Sequence, residues 1–427
     1  MSQSLLRPDL SPLHGSPGLR AVFVSRTVAM LGAQAAEVAL LVQAKQITGS
    51  PLIVGLLGVA ELVPLVVFGL YGGALADRFD RRILMRWCEP GMACCAVLLL
   101  VNALLPHPAL WVLFLVAALL MAISSLQRPS FEAAIPRLVP PEQLTAAVTL
   151  LAIVQNASFL VGSSLGGVLA ITPGPWLVYA MDAAGFAVSF WMLGRLPALP
   201  PEPDADADSD SDGNEVPGLR QIFIGVRYAF TRKDLLGSYL ADLSAMIFAY
   251  PNALFPFMAV TLHAPWAAGL MFAAPSVGAF ILSATSGWML RIRRHGLAIA
   301  ISAALWGAGI AAFGLAPDIY VALACLVIAG GADEGSGIFR DMLWKQSIPD
   351  HLRGRMAGVE LLSYGAGPPM GQLRSGVMAS AFGQRFSLAF GGFACVGAVA
   401  AVCAALPAFT RYVAKPPVPA ETPALAD

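Results

Sequence analysis

Residues 72–82 read GGALADRFDRR, and this stretch separates two long apolar runs near the start of the chain. Its paired glycines allow helix backbones to approach closely, because neither carries a Cβ. A carboxylate at a helix end can bond a neighbouring helix N-terminus and pair with arginine in one conformation only. The stretch therefore indicates a conformational gate, and the alternative is an ordinary cluster of positive charge. The candidate gate residues are Gly73, Asp77, Arg78, Arg81 and Arg82.

The composition places most of the chain in a lipid bilayer. Of its 427 residues, 57% are hydrophobic and 12% are charged, whereas soluble domains carry about 25% charged residues. The formal net charge is zero, which argues against nucleic acid as a partner because phosphate binding needs a basic excess. The sequence contains no HExxH or P-loop motif, and its cysteines and histidines lack metal-ligand spacing. We therefore expect no enzyme activity, no metal and no cofactor.

Apolar windows of about 20 residues, the length that crosses the hydrocarbon, predict twelve transmembrane helices. They cover residues 20–44, 52–76, 83–105, 109–133, 142–170, 175–196, 234–262, 266–290, 297–316, 319–344, 354–382 and 385–409. Short connections alternate with charged ones, and only Lys45 and Arg385 add positive charge in or beside the short set. The positive-inside rule then places the charged connections and both termini in the cytoplasm.

An internal repeat divides the chain into two halves. The same offset of 209 residues separates Pro140 from Pro349 and Gly162 from Gly371. The fifth and eleventh helices are therefore equivalents in two parallel six-helix bundles, an architecture found in alternating-access transporters. The predicted organisation is a disordered tail (1–19), a first bundle (20–196), a disordered acidic linker (197–217), an amphipathic surface helix (218–233), a second bundle (234–410) and a disordered tail (411–427).

The stretch at residues 72–82 resembles the signature of the major facilitator superfamily, with matching spacing at every defined position. Three further stretches are similar to the subfamily of enterobactin exporters and drug–proton antiporters: 48–64, which reads TGSP at its start and ELVP at its end, RP followed by IPRLVPPEQL at 128–144, and PDHLRGR at 349–355. The resemblance covers about residues 20–410. It implies an all-α major facilitator fold, a location in the bacterial inner membrane and export driven by proton exchange.

Glycines in the fifth and eleventh helices are candidates for close helix packing. Superfamily antiporters often carry Gly-Pro-x-x-Gly-Gly in the fifth helix, whereas residues 162–167 read GSSLGG. The glycines remain and the proline is absent, so this part of the resemblance implies packing without a proline bend. The packing candidates are Gly162, Gly166, Gly167, Gly371 and Gly376.

Charges inside the membrane are costly, so each is a functional candidate. The resemblance implies that the first, fourth, seventh and tenth helices line the central cavity. This favours a proton and substrate site made of Arg26, Glu37, Asp242, Asp333 and Glu334, with Glu61, Asp182, Glu360 and Arg374 as additional candidates. Helix depth predicts that the acids at 242, 333 and 334 lie together, where they cannot all stay ionised. The alternative is a structural ion pair, for example between Arg26 and Asp242.

The favoured function is proton-coupled export of a small amphipathic molecule: a siderophore, a secondary metabolite or a drug. The expected partners are this substrate, protons and the lipid bilayer, with the protein acting as a monomer. One alternative keeps the fold and reverses the direction, giving uptake of a nutrient by symport. Another is a transporter-like sensor or scaffold, which would need an added folded domain that the low-complexity linker does not supply.

Overall fold

A computed structural model describes residues 10–78, 80–200, 227–348 and 353–414. Side chains are described for these residues except 70–78, 290 and 353–364. Within the described residues the chain forms twelve long helices and no strand. The first half contains α1 (Pro17–Thr48), α2 (Pro51–Arg78), α3 (Arg81–Leu104), α4 (Leu110–Leu138), α5 (Pro141–Ile171) and α6 (Pro175–Leu193). The second contains α7 (Lys233–Ala249), α8 (Ala268–Ala284), α9 (His295–Leu315), α10 (Ile319–Ser347), α11 (Arg353–Phe382) and α12 (Gln384–Ala405).

Each predicted transmembrane segment overlaps one of these helices. By length and composition, eleven segments of the described chain could cross a membrane, and α11 is the helix outside that set. It is thirty residues long and packs among the others. Consecutive helices run in opposite directions, so both ends of the chain lie on one side, called here the termini side. The opposite side is called the far side.

Helix packing repeats between the two halves. In the first half, α1 packs on α5 and α6, α3 on α4 and α6, and α2 on α4. In the second, α7 packs on α11 and α12, α9 on α10 and α12, and α8 on α10. The same five neighbour relations occur in the same order, which confirms the two six-helix halves. The halves join through α2 against α11 and α5 against α8.

The seventh transmembrane segment is broken, whereas the sequence analysis expects one continuous helix over 234–262. Helix α7 ends at Ala249, a 3-10 turn covers Asn252–Leu254, and a short helix follows over Phe255–Thr261. Pro251 explains the break, because proline disfavours helical backbone in the residue before it. Tyr250 accordingly takes an extended conformation, with φ −80° and ψ 114°.

Packed residues lie at the end of the expected N-terminal tail and at the start of the linker and of the C-terminal tail. A short helix covers Ser11–Gly15, and Leu19 is buried against the start of α5, so residues 11–19 are ordered by apolar contacts. Leu199 is buried on the first half, and its carbonyl accepts a hydrogen bond from the Arg81 backbone. Near the C-terminus, the Ala414 amide donates to the Arg293 carbonyl at 2.8 Å.

Parts of the tail, linker and surface-helix predictions lie outside the described residues. These parts are residues 1–9, 201–226 and 415–427. The described end of the expected amphipathic helix is helical over 227–231, and Ala229 within it is buried in the main hydrophobic core.

Close approaches between the halves occur on the far side. A Cβ on Gly269 of α8 would stand 2.9 Å from the Cα of Gly167 in α5. A Cβ on Gly376 of α11 would stand 2.9 Å from the Cα of Gly55 in α2. Lys45, near the end of α1, donates across the halves to the Pro256 carbonyl at 2.7 Å. These contacts close the far side of the interface between the halves.

Candidate functional site

Four polar residues from both halves gather about midway through the helices. Tyr250 lies within electrostatic range of Glu37 in α1, Glu61 in α2 and Asp333 in α10. Glu37 and Glu61 also interact electrostatically with each other. We call Glu37, Glu61, Tyr250 and Asp333 the acidic cluster. Its members stand ten to fourteen residues from the far ends of their segments, which corresponds to roughly 15–21 Å at the helical rise.

The acidic cluster is partly open rather than sealed in the core. All four side chains have intermediate exposure, and two come from each half of the protein. Asn252, just beyond the break in the seventh segment, donates its side-chain amide to the Tyr250 hydroxyl at 2.8 Å. The Tyr250 hydroxyl therefore lies at the point where the seventh segment stops being helical. This arrangement can bind protons or hydrogen-bonding groups of a ligand between the two halves.

Asp333 and Glu334 are neighbours in sequence and lie within electrostatic range of each other, but their further partners differ. Asp333 interacts with the acidic cluster, whereas the Glu334 carboxylate accepts a hydrogen bond from the Ser283 hydroxyl of α8 at 2.6 Å. Adjacent residues on a helix point about 100° apart, which explains the divergence. Glu334 therefore joins α10 to α8 inside the second half.

Asp242 forms a buried ion pair with Arg340, which corrects two sequence expectations. The pair joins α7 to α10, and its side chains are 2% and 5% exposed. Asp242 thus does not pair with Arg26, and its carboxylate is matched by a cation rather than grouped with the acids at 333 and 334. One helical turn further towards the termini side, the Trp344 indole donates to the Ser238 hydroxyl at 3.0 Å. These contacts hold α7 and α10 together as one unit.

Arg26 lies within the first half, where its guanidinium stands 4.7 Å from the centre of the Phe131 ring. A cation over an aromatic face is attracted by the ring quadrupole. Arg26 also lies within electrostatic range of Glu89 in α3, whose carboxylate accepts a hydrogen bond from Gln127 at 2.7 Å. Arg26 is therefore part of a polar network inside the first bundle.

Two further charged candidates are each packed within one half of the protein, and neither oxygen of the Asp182 carboxylate has a hydrogen-bond partner in the described part of the chain. Asp182 in α6 is buried against α1, where a Cβ on Gly32 would meet its carboxylate. Arg374 in α11 donates to the Ser387 carbonyl at 2.9 Å and to the Ile247 carbonyl at 3.3 Å, which ties α11 to α12 and α7. The third additional candidate, Glu360, lies in α11, and its side chain is outside the described part.

The candidate gate is described in part. Gly73, Asp77 and Arg78 belong to α2, but their side chains lie outside the described part of the chain. Arg81 donates to the Ala133 carbonyl of α4 at 3.3 Å. Arg82 donates to the Gly194 carbonyl after α6 at 2.8 Å. The basic end of the stretch therefore binds backbone carbonyls of the first half.

The candidate packing glycines face other helices at short range. A Cβ at Gly162 would stand 2.7 Å from the Leu31 carbonyl of α1. Gly166 faces Ala35 of α1, and Gly371 faces Met246 of α7. Gly167 and Gly376 take part in the closure between the halves already described.

The sequence analysis missed Tyr250, Arg340 and Glu89, for different reasons. Tyr250 directly precedes Pro251, and a proline predicts a helix break at the residue before it. The sequence therefore contained the signal that identifies Tyr250. Arg340 lies two turns along α10 from Asp333. A charge inside a transmembrane helix marks a candidate site residue, so Arg340 met the same criterion as the acids. Glu89 lies eight residues into α3, and it carries the same signal.

Residues 8–426 match the sequence profile of the family described as a transmembrane secretion effector. The enterobactin exporter EntS of Citrobacter koseri is 29% identical over 425 residues, which cover 97% of this chain and 98% of that protein. EntS of Shigella boydii serotype 4 is 30% identical over 361 residues, or 82% of each chain. A solved POT family transporter in complex with 5-aminolevulinic acid shares the fold with a TM-score of 0.73 at 12% identity, covering 93% of this chain and 97% of that one. These relatives are transporters, so the expectation of transport rather than catalysis is confirmed.

Proposed function

The chain belongs to the transmembrane secretion effector family of major facilitator transporters, and from this premise we propose that it exports a siderophore in exchange for protons. Of the three substrate classes favoured by the sequence, the siderophore is supported by relatives named as enterobactin exporters. The proposed location is the bacterial inner membrane with both termini in the cytoplasm, in agreement with the positive-inside rule.

The acidic cluster is the observation that carries the proposal. It contains three carboxylates from both halves, so a movement of one half against the other changes their separation. Carboxylates that share a site of low dielectric cannot all be ionised, and a change in their separation alters proton affinity. Protons and substrate would then compete for the site, which is the coupling that exchange requires. Asp333 and Glu37 are the proposed proton carriers, and Tyr250 is a proposed substrate contact.

The far-side contacts support an alternating-access mechanism. Because the halves meet there through Gly167 against Gly269 and through Lys45 on Pro256, the described conformation is closed on the far side. With cytoplasmic termini, this is the state that receives substrate from the cell. The opposite state would separate these contacts and close the termini side, where Asp77 and its arginines are the proposed gate.

Transport into proteoliposomes under an imposed pH gradient tests the proposal, with enterobactin as the probe. We expect Asp333→Asn and Glu37→Gln to lose gradient-driven accumulation and to retain exchange of substrate down its own gradient, because exchange needs no net proton movement. The matched control is Asp341→Asn on the same helix, since Asp341 is 56% exposed and forms a surface pair with Lys345. Accumulation by both cluster variants at the control's level would place proton coupling elsewhere.

A further inference from the structure

A cavity lies on the termini side of the first half, away from the acidic cluster. Its volume is about 330 Å³, and it is lined by Asp80, Arg82, Ile83, Arg86, Trp87 and Ala198. It is formed by the first turns of α3 and the segment that follows α6. Of the residues that line it, Arg82 alone belongs to the candidate gate, and the other five have no role in the proposed transport cycle.

One wall of the cavity is cationic. Arg82 and Arg86 are one helical turn apart, so their guanidinium groups share a face of α3. Arg86 stands 4.4 Å from the centre of the Phe190 ring and is half-buried, so part of its side chain lines the cavity. The Asp80 carboxylate accepts hydrogen bonds from the Arg82 amide at 2.8 Å and the Leu199 amide at 3.3 Å. Because the Asp80 carboxylate accepts hydrogen bonds from backbone amides, the positive charge of the two arginines remains to attract an anion.

The other wall is apolar and faces outwards. Ile83 and Trp87, also one turn apart, are 54% and 68% exposed. Exposed apolar residues continue along α3 at Val101 and Leu104, which marks this face as the one that contacts lipid. The exposed Trp191 of α6 is close by in the same interface, since Arg195 stacks on it at 3.6 Å. Tryptophan is enriched at the level of lipid headgroups.

The cavity therefore combines a cationic wall, which can bind an anion, with the beginning of the exposed apolar face of α3. A free phosphate would use the arginines and leave Ile83 and Trp87 without a partner. A phospholipid would use both walls, with its phosphate on Arg82 and Arg86 and an acyl chain along the exposed face of α3. We propose that this cavity, the α3 headgroup pocket, binds an anionic phospholipid through its phosphate group.

The test measures which phospholipid the purified full chain retains. The protein is extracted from vesicles of equal phosphatidylglycerol and phosphatidylcholine, and bound lipid is counted by native mass spectrometry. We expect the wild type to retain phosphatidylglycerol in preference to phosphatidylcholine. Arg86→Gln should lower that preference about fivefold, the equivalent of ~1 kcal/mol for one basic residue near an anionic surface. Lys345→Gln is the matched control, because Lys345 is a cation on the same side and is 71% exposed.

Three results would overturn the proposal. The first is equal retention of both lipids by the wild type, a measurement that depends on no variant. The second is the same preference in Arg86→Gln as in Lys345→Gln, with Arg86→Lys replacing the former if it does not fold. The third is displacement of the lipid by inorganic phosphate alone, which would make the pocket a site for free anions.

Discussion

The buried pair of Asp242 and Arg340 allows a prediction that separates structural support from proton coupling. Its side chains are 2% and 5% exposed, so either single neutralisation leaves an uncompensated charge in a dry environment. Removing one partner of such a pair typically costs ~3–5 kcal/mol, whereas replacing both with apolar or neutral groups is often close to neutral. We therefore expect Asp242→Asn and Arg340→Met each to lower the free energy of unfolding by that amount. The double variant should recover most of the loss.

The assay is unfolding of the purified protein in mixed micelles by increasing SDS, followed by far-ultraviolet circular dichroism. The variants should still fold, because the Trp344 indole bond to Ser238 also joins α7 to α10. Asp341→Asn provides the control, since breaking an exposed pair at this spacing costs only ~0.3–0.5 kcal/mol. A variant Asp242→Asn that is as stable as wild type but fails to couple transport to protons would refute the structural role. Such a result would return Asp242 to the coupling site that the sequence favours.

Three further predictions concern the closure, the gate and the topology. Gly269→Leu should abolish transport, because a Cβ at this position would already stand 2.8–3.1 Å from backbone atoms of α5. The control Gly397→Leu should transport normally, since no atom lies within 4 Å of a Cβ there. Equal activity of the two variants would refute the far-side closure. Asp77→Asn should keep membrane levels but cut turnover and raise labelling of a cysteine introduced between the halves on the termini side, and unchanged turnover would falsify the gate. Reporter fusions after Asp212 should report cytoplasm and those after His107 the outside, and a periplasmic signal at Asp212 would reverse the topology.

Most of the fold was predictable because its determinants are local. Apolar length locates the helices, and the offset that relates Pro140 to Pro349 reveals the repeated halves. The broken seventh segment was also readable, since Pro251 cannot continue a helix without disturbing Tyr250. The packing of residues 11–19 and of Leu199 was harder to predict, because the burial of Leu19 and Leu199 depends on surfaces formed by helices distant in sequence.

The candidate site was predictable by residue type and only partly by arrangement. Intramembrane charge singles out Glu37, Glu61 and Asp333 in the sequence, and in the fold all three lie within electrostatic range of Tyr250. Depth alone grouped Asp333 with Asp242, because a linear count gives the level of a residue and not the direction of its side chain. The partner of Asp242 is Arg340, on a helix almost one hundred residues away, and no local pattern encodes that contact.

Proton movement driven by the substrate alone tests the central proposal most directly. Proteoliposomes containing the wild type and an entrapped pH dye are loaded with substrate and diluted into substrate-free buffer, with the membrane potential clamped. Exchange predicts that substrate leaving the vesicles draws protons in, so the interior becomes acidic, and Asp333→Asn should abolish this signal. An interior that becomes alkaline would indicate symport, and an unchanged interior pH during substrate efflux would indicate transport without protons; either result would contradict the account.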